Sequence, residues 1–257
     1  MSHSQRCPQR YRVLGEQERA KIGAPLVDLK PTFPPFASIK AVSFDVGGTL
    51  IRTWPSVGHV YAEIATRNGL RNVTAELMED RFRAVWPRCL HLTETRSGWR
   101  QLVDQAFAGL GEVPPSQSFF PEIYDRFAQA DVWRIYDDVP PVLETLAARG
   151  FRLAVISNWD ARLRDLLRRL QLDGHFETIV VSCEVGYPKP DHAIFDQAAR
   201  ALGLPASQIV HIGDSAEMDL AGARNAGFHA LRIHRAATES GPDHLQSMLE
   251  LPKRLKP

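Results

Sequence analysis

The sequence predicts an α/β fold, a doubly wound parallel sheet with an all-helical module inserted after its first strand. Three observations carry this. From Asp138 to Ile233 short apolar runs alternate with helical stripes, the pattern of parallel strands joined by crossover helices. A separate apolar run, Ala41, Val42 and Phe44, stands far upstream and ends on Asp45. Between the two, from Val57 to about Val132, the apolar period is helical and no strand signal interrupts it.

Taken in order, residues 1–40 are rich in Arg, Gln and Pro and hold no hydrophobic period, so a tail or a strap over the core is expected. Residues 41–55 open the core with the first strand. Gly47-Gly48 and Thr49 follow at once, a pair of glycines that lets the backbone turn sharply and approach a bound group. Arg52-Thr53-Trp54-Pro55 then breaks the pattern. Within the insert, 56–135, Val60, Ile64 and Leu70 space one helix, and Leu77, Phe82, Val85 and Trp86 a second that Pro87 should stop. Trp99, Leu102, Val103, Ala106 and Phe107 form a third, and Ile123, Tyr124 and Phe127 a fourth.

The core resumes over 136–235. Pro140 and Pro141 suit a first helical turn, and Arg152–Ser157 (RLAVIS) reads as a strand. Asp160 is placed to cap a helix whose Leu163, Leu166, Leu167 and Leu170 share one face, while Arg162, Arg164, Arg168 and Arg169 read as its solvated side. Strands follow at Thr178–Val181, 208–212 (QIVHI) and Ala230–Ile233, with helices starting at Asp191 and at Ala216. Residues 236–257 are polar and Pro-flanked, and a C-terminal tail is expected.

The chain has 257 residues, 44% of them apolar, and Lys+Arg 31 nearly balances Asp+Glu 30. That balance excludes nucleic acid or a membrane surface as a bulk partner, and no apolar run is long enough to span a bilayer. The N-terminus lacks the apolar middle of a secretory signal. Cys7, Cys89 and Cys183 are far apart and odd in number, which points to a reducing, cytoplasmic setting. A monomer or homodimer is expected.

Polar residues gather just past each strand: Asp45, then Ser157-Asn158, then Lys189 in GYPKPD, then Gly213-Asp214 with Asp219 a turn later. In such sheets ligands bind beyond the carboxyl ends of the strands. The chemistry these residues fit is phosphoryl transfer through a covalent aspartate. Asp45 is the expected nucleophile. Asp214 would hold Mg²⁺ together with Asp45, supported by Asp219. Lys189 would neutralise phosphate oxygens, assisted by Ser157 and the loop N–H groups. Gly48, Thr49, Asn158 and Arg52 are the expected contacts to a small phosphorylated substrate. His211 reads as a core histidine, and Cys183 has no partner motif that would make it a nucleophile.

These residues resemble the haloacid dehalogenase superfamily of hydrolases, whose first motif is strand-D-x-D-x-T, here Asp45-Val46-Gly47-Gly48-Thr49. The second motif matches at Ser157, the third at Lys189, and the fourth at Gly213, Asp214 and Asp219. The resemblance runs from about 41 to 235 and implies a Rossmann-like core whose helical insert is a substrate-selecting cap. SNWD, EVGYPKPDHAIF and HIGDSAEMDLAGARNAG are most similar to one helical-cap subgroup. The resemblance also implies a metal-ligating carbonyl at Gly47, where family phosphatases carry a second Asp that serves as general acid. Three readings of that departure stand open. The substrate has a good leaving group, as an acyl phosphate does. A cap residue, His59, Tyr61 or Glu63, supplies the proton. Or the chain is a pseudo-hydrolase that binds a phosphorylated ligand or a protein partner. Gly47→Asp is expected to raise monoester hydrolysis. Family dehalogenases also lack the second Asp, but they lack an acid matching Asp214. Phosphonate-cleaving relatives rely on a cap lysine, and no lysine occurs between Ser56 and Asp137. D-x-G-G-T also resembles the phosphate loop of sugar kinases, but there more strands follow, whereas here helices do.

Overall fold

The structure, a computed structural model, describes residues 38–89, 93–236 and 241–255. The expectation for the N-terminal segment therefore falls almost wholly outside the described residues. Strand β1 spans Ala41–Phe44, followed by β2 (Ile51–Thr53) and helices α1 (Val57–Arg67), α2 (Ala75–Cys89), α3 (Arg96–Ala106) and α4 (Phe120–Arg126). Then come β3 (Trp133–Ile135), α5 (Val139–Ala148), β4 (Arg152–Ser157), α6 (Leu163–Arg169), β5 (Thr178–Val181), α7 (His192–Leu202), β6 (Ile209–Gly213), β7 (His229–Ile233) and β8 (His244–Leu245).

Six strands form one parallel sheet in the order β5-β4-β1-β6-β7-β8. The chain builds outward from β1 on one side and then crosses to the other, so β1 lies at the reversal point where α/β sheets open a crevice. The period-2 alternation of each strand sorts its side chains between two layers. Val42, Phe44, Val155 and Ile212 pack with Leu143 and Leu146 of α5 and with Leu163 and Leu167 of α6. Ala41, Ala154 and Ile156 face the other way, where the small volume of the two alanines admits Ile194, Phe195 and Ala198 of α7. Register sets the site. Phe44 pairs with Val155 and with Ile212, so Asp45 emerges one residue past those pairs and Ser157 and Asp214 two residues past them.

Helices α1 to α4 bury an apolar cluster of their own, with Tyr61, Ile64, Met78, Leu102 and Ile123 inside. Ser56 caps α1 by accepting from the His59 N–H, and Thr95 caps α3 by accepting from that of Gly98. Gly58 lets α1 lie against α2, because a Cβ there would stand 2.1 Å from the Ala75 carbonyl oxygen.

The structure corrects the sequence reading in three places. Pro87 does not stop α2, which runs on to Cys89. The segment 56–135 is not helical throughout, because Trp133–Ile135 forms β3. That strand pairs antiparallel with β2, which occupies part of the stretch read as a break. Three-residue strands show no period, and their pairing joins the two ends of the insert. Residues 241–255 are not a tail. β8 extends the sheet beside β7, and Leu245, Met248, Leu251 and Leu255 are buried in the core. Asp138 Oδ2 anchors this segment by accepting from Ser247 Oγ and the Met248 N–H, at 2.7 and 2.8 Å.

Candidate active site

Lys189 is the hub of the site. Its ammonium is buried and donates to Asp45 Oδ1 at 2.7 Å and to Asp219 Oδ1 at 2.5 Å. Its backbone is clamped by Asn158, whose Oδ1 accepts from the Lys189 N–H at 2.7 Å while its Nδ2 donates to the Lys189 carbonyl at 2.9 Å. Asn158, expected to touch substrate, therefore has both ends of its amide engaged in fixing Lys189. Ser157 Oγ donates to Asp45 Oδ1 at 2.9 Å. Among the described residues no hydrogen bond reaches Asp45 Oδ2.

Asp219 sits on a π-helical turn, Ala216–Ala221, that opens directly behind β6. Its Oδ2 accepts from the Ser215 N–H at 2.9 Å, and its Oδ1 also meets His211 Nε2 at 3.1 Å. His211 is wholly buried, and its Nδ1 lies 3.0 Å from Ser43 Oγ. Burial holds this imidazole below its ordinary pKa, and a ring protonated on Nε2 would satisfy both the carboxylate and the Ser43 hydroxyl. The core histidine thus has a task, fixing the acid that faces Lys189. Asp219, expected among the metal ligands, has both oxygens occupied by protein donors and is placed to support the site from behind.

Charge is unevenly shared. Burial works against ionisation of Asp219, but Lys189 and His211 outweigh it and hold this carboxyl well below the usual range. Burial raises Asp45 against the pull of Lys189. Asp214 is exposed and lines the chamber described below. Desolvation, with Asp45 and Asp219 nearby, pushes its carboxyl up to about 7. Oxygen atoms of Asp45, Asp214 and Asp219 lie within 4.8 Å of one another, with one ammonium among three carboxylates. Excess negative charge on hard oxygen donors suits a small divalent cation. Gly48 leaves room for Asp214, since its φ is +75° and a Cβ there would stand 2.3 Å from Asp214 Oδ2.

These groups form the floor of a chamber of about 410 Å³ between the sheet edge and the helical module. Asp45, Gly47, Gly48, Arg52, Ser157, Asn158, Lys189, Asp214 and Asp219 all line it. Thr49 does not. It is buried behind the loop, and its hydroxyl has no partner among the described residues, so the expectation that it touches substrate is not met. Of the proton donors considered in the insert, His59 and Glu63 line a separate surface groove. Tyr61 does line the chamber, but burial raises its hydroxyl far above neutrality.

Sequence reasoning missed Arg162. Read as part of a solvated face, it lines the chamber instead. Its guanidinium forks onto Asp160 at 2.6 and 2.8 Å and lies 3.5 Å from the Tyr124 ring centroid. Tyr124 Oη donates to Asp160 at 3.1 Å, so the trio ties α4 to the loop after β4. Asp160 accepts from the Arg162 N–H but does not cap α6, which starts at Leu163. An Asp two residues before an Arg was the available signal, a local carboxylate–guanidinium pair.

A model of the haloacid dehalogenase-like hydrolases matches residues 39–227. The chain belongs to that family. The subgroup its motifs resemble is represented by haloacid dehalogenase-like hydrolase domain-containing protein 3 of Danio rerio. That relative is 32% identical over 235 residues, which cover 85% of this chain and 97% of that one. Glyceraldehyde 3-phosphate phosphatase of Methanopyrus kandleri is 34% identical over 205 residues, 77% of this hydrolase and 84% of that phosphatase. Among solved structures, the 2-haloacid dehalogenase from Pseudomonas syringae superposes with a TM-score of 0.58 at 28% identity, covering 84% of this chain and 98% of that one. Among the described residues no helix is long and apolar enough to cross a membrane.

Proposed function

We propose that this hydrolase is a magnesium-dependent phosphatase that releases phosphate from a small phosphorylated compound through an aspartyl-phosphate on Asp45. The observation that carries this reading is the placement of Asp45, Asp214 and Asp219 within 4.8 Å of one another around a single buried ammonium. Asp45 is the nucleophile. Lys189 and Ser157 steady the phosphoryl oxygens as charge shifts onto them, whereas the Gly48 N–H is held by the Ile51 carbonyl at 2.8 Å. Asp219, held by His211 and Ser215, fixes Lys189. Asp45, Asp214 and the Gly47 carbonyl would hold Mg²⁺, which when bound relieves the repulsion between carboxylate and phosphate.

Phosphatase-named relatives support this reading, as do family-typical residues at all four motifs apart from Gly47. The dehalogenase likeness and the missing second Asp favour a second reading, hydrolysis of a carbon–halogen bond. Asp214 counts against it, because a third acid in the site has no use without a cation. Cys89 and Cys183, buried and unbridged, fit a cytoplasmic protein, and a monomer or homodimer is the assembly expected.

The test measures release of phosphate from activated aryl and acyl phosphates, and of chloride from 2-chloropropionate, with and without Mg²⁺. Wild type should release phosphate only with the metal, and Asp45→Ala should lose at least about 10³-fold in turnover. Equal phosphate release by the two proteins, or chloride release alone, contradicts the reading.

A further inference from the structure

Taking the proposed phosphatase chemistry as given, we propose that the substrate is a monophosphate of an aromatic body whose leaving oxygen departs unprotonated, an aryl or aromatic acyl phosphate.

Two independent features of the chamber point to this class. The first is its walls. Beside the charged floor the surface is built largely from rings, among them Phe82, Trp86, Trp99, Phe127, Trp133 and Trp159. They stand in chains of contact, with centroids 5.2 Å apart for Phe82 and Trp86, 6.0 Å for Trp86 and Trp99, and 5.4 Å for Trp133 and Trp159. A flat ring packs into such a wall by offset or edge contacts. Arg52, Thr53, Thr93 and Ser215 also line the chamber, but a body rich in hydroxyls would set several of them against ring faces that offer no partner. Arg162 is already spoken for by Asp160 and Tyr124.

The second feature is what covers Gly47. A Cβ built on Gly47 would stand 3.3 Å from Cζ3 of Trp159. The indole therefore packs over the position from which the family's general acid would extend. Tyr61 is held protonated by burial, and Tyr124 donates its hydroxyl to Asp160. Apart from Asp214, which must be deprotonated to hold the metal, none of the described residues lining the chamber is suited to hand a proton to a basic leaving oxygen. General acid help is typically worth ~10²–10⁴ in rate, so a substrate that needs it would turn over slowly here.

The step balances without that proton. An Asp45 oxygen forms a bond to phosphorus, and the bond from phosphorus to the leaving oxygen breaks with its electron pair. The leaving group departs as a phenolate or carboxylate, its charge delocalised. Water then attacks phosphorus, Asp45 leaves as the carboxylate, and the water's proton passes to solvent.

Two arms test this on the magnesium-loaded full chain. In calorimetry, phenylphosphonate should bind about tenfold tighter than methylphosphonate. That ratio should shrink toward one in Trp86→Leu and return in Trp86→Phe. Equal affinity of the two phosphonates for wild type overturns the aromatic class. In kinetics, kcat/KM should fall at least about 10²-fold from 4-nitrophenyl phosphate to benzyl phosphate, since both carry a ring but only the first leaves well as an anion. Similar rates on the two would reveal an internal acid and overturn the leaving-group claim. Phenyl-selective binding with no turnover on any ester contradicts the phosphatase reading while supporting the aromatic ligand. Turnover without phenyl selectivity does the reverse.

Discussion

The floor and the walls of the chamber are built by different rules. The floor comes from strand ends of one parallel sheet, and its charged groups are fixed by register and by mutual hydrogen bonds. Lys189, Asp219, His211 and Ser43 form an unbroken buried chain, and the half-buried Asn158 clamps the Lys189 backbone. The walls come from helices of the inserted module and from the Trp133 and Trp159 segments, and they are apolar rings whose contacts tolerate exchange. The contrast separates chemistry from selection. Any phosphate ester that enters meets the same floor, whereas the walls decide which bodies enter.

On the floor the largest effects are expected where charge is stranded. Lys189→Met removes the one cation between Asp45 and Asp219. Turnover should fall by about 10²–10³-fold, and stability should drop by about 3–5 kcal/mol, because Asp219 is left buried without its partner. Urea midpoints measured beside kcat check both. A variant that folds as stably as wild type would show that the ammonium is not holding the floor together.

A smaller effect comes from the acid with no cation of its own. With its carboxyl pushed up to about 7, Asp214 carries a proton below that pH and must release it to take a metal ion. Apparent magnesium affinity should therefore rise with pH, by about tenfold per unit below pH 7, and level off above it. Asp214→Asn should weaken binding and flatten the slope. Calorimetric titrations across that range read this directly, and a pH-independent affinity in wild type would be the contrary result.

The smallest change tests where floor and wall meet. Gly47→Asp, which the sequence alone suggested would restore monoesterase activity, should give little gain because Trp159 lies against the position. Gly47→Asp combined with Trp159→Ala should raise turnover of benzyl phosphate by about tenfold or more. A full gain from Gly47→Asp alone would mean that the indole moves aside readily and is not what excludes the acid.

Much of this was legible in the sequence, for identifiable reasons. The sheet could be read because its inner strands, Ala41–Phe44, Arg152–Ser157 and Ile209–Gly213, are dense apolar runs. The floor could be read because strand ends bring Asp45, Ser157 and Asp214 to one edge whatever happens elsewhere. Arg162 was not legible as a chamber residue, because a charged residue at the start of a helix ordinarily faces water, and only the fold brings Tyr124 over it. Trp159 as the cover of Gly47 was hidden for the same reason, since the two are joined through space by neighbouring strands. The β2–β3 ribbon and the C-terminal strand are too short to show a period. Thr49 shows the limit of a motif read alone, since it is buried and does not line the chamber.

The central claim is a covalent bond between Asp45 and phosphate. Quenching the enzyme in acid during turnover of 4-nitrophenyl phosphate, reducing it with borohydride and sequencing the peptides by mass spectrometry reads that bond directly. Conversion of Asp45 to homoserine, dependent on magnesium and on substrate, is the result expected. Steady turnover with Asp45 recovered intact would contradict it.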